Sequence, residues 1–293
     1  VLFSAAGLGE GQSIDPASVQ VTADSTPLAA TAQPLGAKPP PQVVRTAMIV
    51  IDISGSMKGA GIAGAKQAAD AFLAAVPSDV RVGLVTVSTT ATLKATPTTD
   101  RTVLRNDIAA LEVNGNTALY DGTLLALQAV GTTGSRTIVL LTDGHDEGSK
   151  STLPQVLAAV RDSHGATLDA VSFGTASAQV EPLKQITAAA GGRILATEQA
   201  GDFAPAFRQA AQDIATEVLV TVKVPASLAG HSVTLQVNAT AGGSAISDSA
   251  FYPLPALAPA SASAAPVGPV PVAIHPTSLS TSGALRIGLV ALF

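Results

Sequence analysis

The chain has 293 residues, a net charge of −5 and no cysteine, with hydrophobic residues making up 47% of it. That is enough apolar material for a substantial core. The missing basic run and the scattered seven Phe and two Tyr exclude nucleic acid as an expected partner, and zero cysteine excludes disulfides, thiolate nucleophiles and Cys-ligated zinc or iron–sulfur clusters.

Val1 opens the chain, and no charged n-region followed by an apolar h-region marks a signal peptide, as expected of a processed or partial chain. Two β-branched, apolar stretches at 18–22 and 28–32, joined by the turn-prone Asp24-Ser25-Thr26, predict a hairpin. Residues 36–42 (GAKPPPQ) carry three consecutive prolines and read as a linker. From Thr46 to about Asp213 strand-like and helix-like runs alternate. Short Val-, Ile- and Leu-rich runs predict strands over 47–51, 80–87, 137–141, 168–173 and 193–196, buried on both faces. The run 91–96 follows its predecessor too closely for a crossover helix and is read as an antiparallel edge strand. Helical periodicity covers 63–76, 101–111 behind Asp100 as N-cap, 119–130, 153–163, 180–190 and 202–213. The fold class is therefore α/β, a doubly wound, mostly parallel six-stranded sheet with one antiparallel edge.

Three further strands are predicted over 218–224, 232–238 and 245–251. Two or three strands are not stable alone, so residues 1–35 and 216–253 are expected to pair as one small β-domain with the α/β domain, 44–215, inserted between them. Residues 254–282 form a Pro/Ala/Ser-rich linker. The run 283–293 is apolar apart from Arg286, too short by itself to span a bilayer, and is expected to begin a membrane helix. That would place the protein in the cell membrane with its α/β domain outside the cytoplasm.

The first strand of the α/β domain runs into Asp52-Ile53-Ser54-Gly55-Ser56, three oxygen-bearing side chains at alternate positions of an extended turn. Ligands bind at that edge of open α/β sheets. One carboxylate with two hydroxyls is a hard-oxygen set suited to Mg2+, with Mn2+ or Ca2+ also acceptable. Taken alone the pattern is weak, because Ser and Gly are ordinary turn residues. Two more loops return to the same edge: Thr117 in Gly-Asn-Thr, and Asp143 in Leu-Leu-Thr-Asp-Gly144.

With these residues in view, the sequence resembles the von Willebrand factor A domain over roughly residues 44–215. That family's metal-ion-dependent adhesion site is written D-x-S-x-S, then Thr, then Asp, matched here by Asp52, Ser54, Ser56, Thr117 and Asp143. The resemblance implies that Ser54, Ser56 and, in some states, Thr117 hold the cation directly, with Asp52 and Asp143 often acting through water. It also implies that an Asp or Glu carboxylate from a protein partner completes the octahedron. Charge counting agrees independently: two carboxylates against a divalent cation leave a near-neutral set open to an outside anion.

The expected function is metal-dependent protein binding in a bacterial envelope protein. Its architecture resembles proteins associated with type II secretion or Tad-type pilus assembly. No enzymatic activity and no nucleotide are expected. Gly59-Ala-Gly61-Ile-Ala-Gly64 fits a dinucleotide fingerprint, but it begins beyond the strand's end and no acidic residue closes the second strand. His145, Asp146 and Glu147 are read as rim residues. A rival reading makes His145 the base of a metal-dependent hydrolase, and another makes the metal purely structural in an assembly scaffold.

Overall fold

Two hydrophobic periods divide the chain, alternating strands at its flanks and mixed strands and helices at its centre. The computed structural model describes residues 2–6, 8, 12–36, 43–144, 146–163, 165–174, 177–254, 272–273 and 286–291. Four strands precede the central domain: β1 (Leu2–Ala6), β2 (Ile14–Ala23), β3 (Thr26–Leu28) and β4 (Ala30–Pro34). Asp24 and Ser25, both at positive φ (43° and 68°), close the β2–β3 hairpin, the turn geometry that follows the strands' own twist. The run expected as one strand over 28–32 instead breaks at Ala29, whose carbonyl accepts the Lys223 amide at 2.8 Å. β3 stays beside β2 while β4 crosses to a different sheet.

The central sheet holds β5 (Arg45–Asp52), β6 (Arg81–Val87), β7 (Ala91–Thr98), β8 (Ser135–Thr142), β9 (Thr167–Phe173) and β10 (Ile194–Thr197) in the order β10-β9-β8-β5-β6-β7. All neighbours are parallel except β7, which runs antiparallel to β6 as expected. β5 and β8 are buried at every position, the mark of strands covered on both faces. Alternate residues serve opposite layers. Ala47, Ile49 and Ile51 pack beneath α1 (Ala60–Ala75), α2 (Arg101–Ala109) and α6 (Phe203–Ala215). Met48 and Val50 pack beneath α3 (Leu119–Ala129), α4 (Leu153–Asp162) and α5 (Ser177–Ala189). The glycine-rich start of α1 serves this packing: a Cβ on Gly64 would lie 2.9 Å from Ala200 and from the Phe203 ring.

After α6 come β11 (Val218–Val222), β12 (Ser232–Ala241), β13 (Ser244–Pro253), β14 (Val272–Ala273) and β15 (Arg286–Ala291). They join the N-terminal strands in two sheets, ordered β14-β15-β1-β11-β4 and β13-β12-β2-β3. Phe3, Ile14 and Val21 from one flank share a core with Val220, Leu235 and Tyr252 from the other. Arg286–Ala291 differs from the membrane helix expected there: it is extended and antiparallel to β1, Leu2 opposite Val290. The β-branched Ile287 and Val290 suit a strand, and β1 offers it an edge to pair with. Most of the linker, 255–271 and 274–285, lies outside the described residues.

Both chain crossings between the β-strands and the central domain meet at Arg45, whose side chain is fully buried. Its Nε donates to Asp79 Oδ2 (2.8 Å), Nη1 to Ile214 O at the end of α6 (3.2 Å) and Nη2 to Gly36 O (3.1 Å). Glu217 Oε2 lies 3.9 Å from Nη1, and the Ser135 hydroxyl donates to Glu217 Oε1. Burial pushes the Glu217 carboxyl up to about 7, although Ser135 and Arg45 pull it down.

Candidate metal centre

At the C-terminal end of β5, Asp52 Oδ1 accepts the Ser54 amide at 2.8 Å. This local turn leads into a 3-10 turn, Gly55–Met57, and brings Ser54 Oγ within 3.0 Å of Ser56 Oγ. The Ser56 hydroxyl donates to Asp143 Oδ1 (2.8 Å), and Thr142 Oγ1 donates to Asp52 Oδ2 (2.6 Å). Asp52, Ser54, Ser56 and Asp143 thus form one hydrogen-bonded chain across the ends of β5 and β8.

Thr117 arrives from a third loop, locked to the first by backbone bonds: Asn114 N to Ile53 O (2.7 Å) and Gly55 N to Gly115 O (3.0 Å). Gly115 sits at φ 70°, with Thr89 so close that a Cβ would lie 2.2 Å from its hydroxyl oxygen, so the turn requires glycine. Thr117 O accepts the Glu147 amide at 2.9 Å, and its Oγ1 lies 3.4 Å from where a Gly144 Cβ would stand. All three loops therefore converge at one edge. Asp52, Ser54 and Thr117 are buried at 1%, 2% and 3% exposure, whereas Ser56 is exposed and Asp143 half-buried. The result is a buried floor with an open mouth.

Burial raises the Asp52 carboxyl above the ordinary carboxylate range despite bonds from Ser54 and Thr142, and nearby Asp143 adds to the rise. Burial also raises Asp143, against the Ser56 hydrogen bond and with Glu147 adding to it. Among the described residues neither carboxylate has a Lys or Arg partner. Among them too, no three His, Cys, Asp or Glu gather in a metal-holding group, so the donor set is rich in neutral hydroxyls. Two repelling carboxyls and three hydroxyls, with no soft donor, fit a hard divalent cation.

Several contributors escaped the motif. Thr142 is signalled only by its place before Asp143, and Thr89 by nothing in the sequence. Asp146, read as a rim residue, and Asp121 bond across two loops: Asp146 Oδ1 accepts the Tyr120 amide, and Asp121 accepts the amides of Lys150 and Ser151. His145, the candidate base, lies outside the described residues.

The family model for the von Willebrand factor type A domain matches residues 47–145. A UPF0353 protein of Mycolicibacterium vanbaalenii is 32% identical over 158 residues, 46% of this chain and 46% of the relative. The match thus spans about half the length of that curated relative. Among solved structures, the von Willebrand factor type A protein from Catenulispora acidiphila superposes with a TM-score of 0.56 at 15% identity, covering 85% of this chain and 76% of that one. Proximal thread matrix protein 1 from the mussel byssus, solved with a zinc-occupied MIDAS motif, gives a TM-score of 0.51 at 16% identity, covering 66% of this chain and 49% of that one. A von Willebrand factor A domain at the centre of this chain is therefore supported by the family model and by the fold alike.

Proposed function

We propose that the chain is a divalent-cation-dependent protein-binding module of the bacterial envelope. Ser54, Ser56 and Thr117 would hold the ion, and Asp52 and Asp143 would balance its charge. The observation that supports this most is the convergence of the five oxygen-bearing side chains at one sheet edge, with two raised carboxyls and no basic partner among the described residues. Domains of this family commonly mediate protein–protein interaction, and the mussel protein of similar fold has a zinc-occupied MIDAS motif of its own.

The protein's own part is arrangement. Thr142 and the Ser54 amide occupy both oxygens of Asp52, fixing its orientation. The exposed Ser56 leaves the mouth accessible from outside. A bound Mg2+, Mn2+ or Ca2+ would supply a Lewis-acidic position that an Asp or Glu carboxylate of a partner can occupy in place of water. The work proposed is binding rather than catalysis.

Capture of proteins from envelope extract on the immobilised chain tests this. The expected result is a protein retained in Mg2+ and lost both in EDTA and on Asp52→Ala. The same captured set in all three conditions overturns the reading.

A further inference from the structure

Helix α3 begins immediately after Thr117 and has no cap of its own. Its N-cap residue is Ala118, which offers no side-chain acceptor, although the first turn of any helix exposes unpaired amides. Those amides are satisfied from the loop that follows Asp143. Asp146 Oδ1 accepts the Tyr120 amide and Ser149 Oγ accepts the Asp121 amide, both at 3.1 Å. These are the second and third residues of the helix, the positions a local N-cap would serve.

The exchange runs in both directions. Asp121 Oδ2 accepts the Lys150 amide and Oδ1 the Ser151 amide, each at 3.0 Å, just before α4 starts behind its own cap, Thr152. Ser149 also donates its hydroxyl to Asp146 Oδ1, which links the two caps. One backbone bond, Glu147 N to Thr117 O, lies beside them. Burial would raise the Asp121 carboxyl, but bonds from Ser151 and Lys150 outweigh it and hold the group below its ordinary value. Asp121 is thus an ionised acceptor. Asp146 lies three residues past Asp143, and Tyr120 three residues past Thr117.

We propose that Asp146, Ser149 and Asp121 are positioning residues for the cation. They form a reciprocal set of caps that joins the Thr117 and Asp143 loops and fixes their separation before an ion arrives. This rests on the reading that the site takes a divalent cation. Ion affinity then depends on groups that do not touch the ion, as is general for residues that orient metal ligands. Preorganisation is the physical reason: loops already held in register have less ordering left to do on binding.

Titrating the full chain with Mn2+, reading free Mn2+ by electron paramagnetic resonance, tests this, with thermal melting in EDTA alongside. Asp146→Ala is expected to weaken Mn2+ binding roughly tenfold or more and Ser149→Ala several-fold. Asp146→Asn keeps an oxygen acceptor for the Tyr120 amide and is expected to bind within about twofold of wild type. If Asp146→Ala fails to fold, Ser149→Ala decides. Mn2+ affinity unchanged in Asp146→Ala and Ser149→Ala, even with a lower melting temperature in EDTA, overturns the positioning role while the cation site stands. Wild type that takes up no more Mn2+ than Asp52→Ala overturns the site itself, and the positioning role with it.

Discussion

Thr142 donates its hydroxyl to Asp52 Oδ2 at 2.6 Å, joining the ends of the neighbouring parallel strands β8 and β5 under the candidate metal centre. Both residues are buried, at 0% and 1% exposure. Without Thr142 only Oδ1 keeps its donor, the Ser54 amide, and a lost hydrogen bond to a charged group costs about 1.5–3 kcal/mol. Thr142→Val, which keeps the shape and removes the hydroxyl, is expected to destabilise the fold by about that amount in EDTA. Thr142→Ser keeps the donor and is expected to cost less than about 1 kcal/mol. Chemical denaturation of both variants measures the difference.

Glu217 gives the fold a pH dependence far from the candidate metal centre. Its carboxyl moves from 4.5 to about 7 on folding, with burial as the main cause. Between those values the unfolded chain has released the proton and the native state retains it. Stability therefore falls as pH rises through that window and levels off above it. The loss amounts to about 3 kcal/mol at the standard conversion of pKa units to free energy. Denaturation midpoints followed from pH 4 to pH 8 are expected to lose this component of the slope in Glu217→Gln.

The close packing of α1 on α6 makes Gly64 irreplaceable. A methyl there would meet Ala200 and Phe203 at 2.9 Å and the Ala200 carbonyl oxygen at 3.1 Å, so the helices must part. Overpacking of this kind costs about 1–3 kcal/mol. At Gly201 an added Cβ meets nothing within 4 Å, and Gly201→Ala is expected to stay within about 0.5 kcal/mol. Denaturation curves of the two variants compare them directly.

The α/β sheet was legible because strands such as Met48–Ile51 and Val139–Leu141 are apolar on both faces, which only a doubly covered sheet explains. The edge position of β7 followed from the short gap between Val87 and Ala91. Other features leave no mark in the sequence. Leu28, Ala30 and Ala32 alternate as one strand would, and the switch of sheet at Ala29 is set by the tertiary bond to Lys223. β8 begins two residues before the apolar run, because Arg136 is buried at 1% exposure, with its Nε on the Gly134 carbonyl at 3.2 Å and its Nη1 on that of Ser163. A charged residue ordinarily argues against such burial. At the candidate metal centre the D-x-S-x-S residues could be picked out from their spacing, but Ser54 and Ser56 meet through the 3-10 turn Gly55–Met57 and not through the extended chain expected there. The caps from Asp146 and Ser149 could not be picked out, because they act on a helix that starts about 30 residues earlier.

Isothermal titration of the full chain with Mg2+, beside Asp143→Ala, tests the proposed cation site most directly. One ion bound per chain is expected for wild type, with no binding in Asp143→Ala. Absence of Mg2+ binding to wild type, or equal binding by Asp143→Ala, contradicts it.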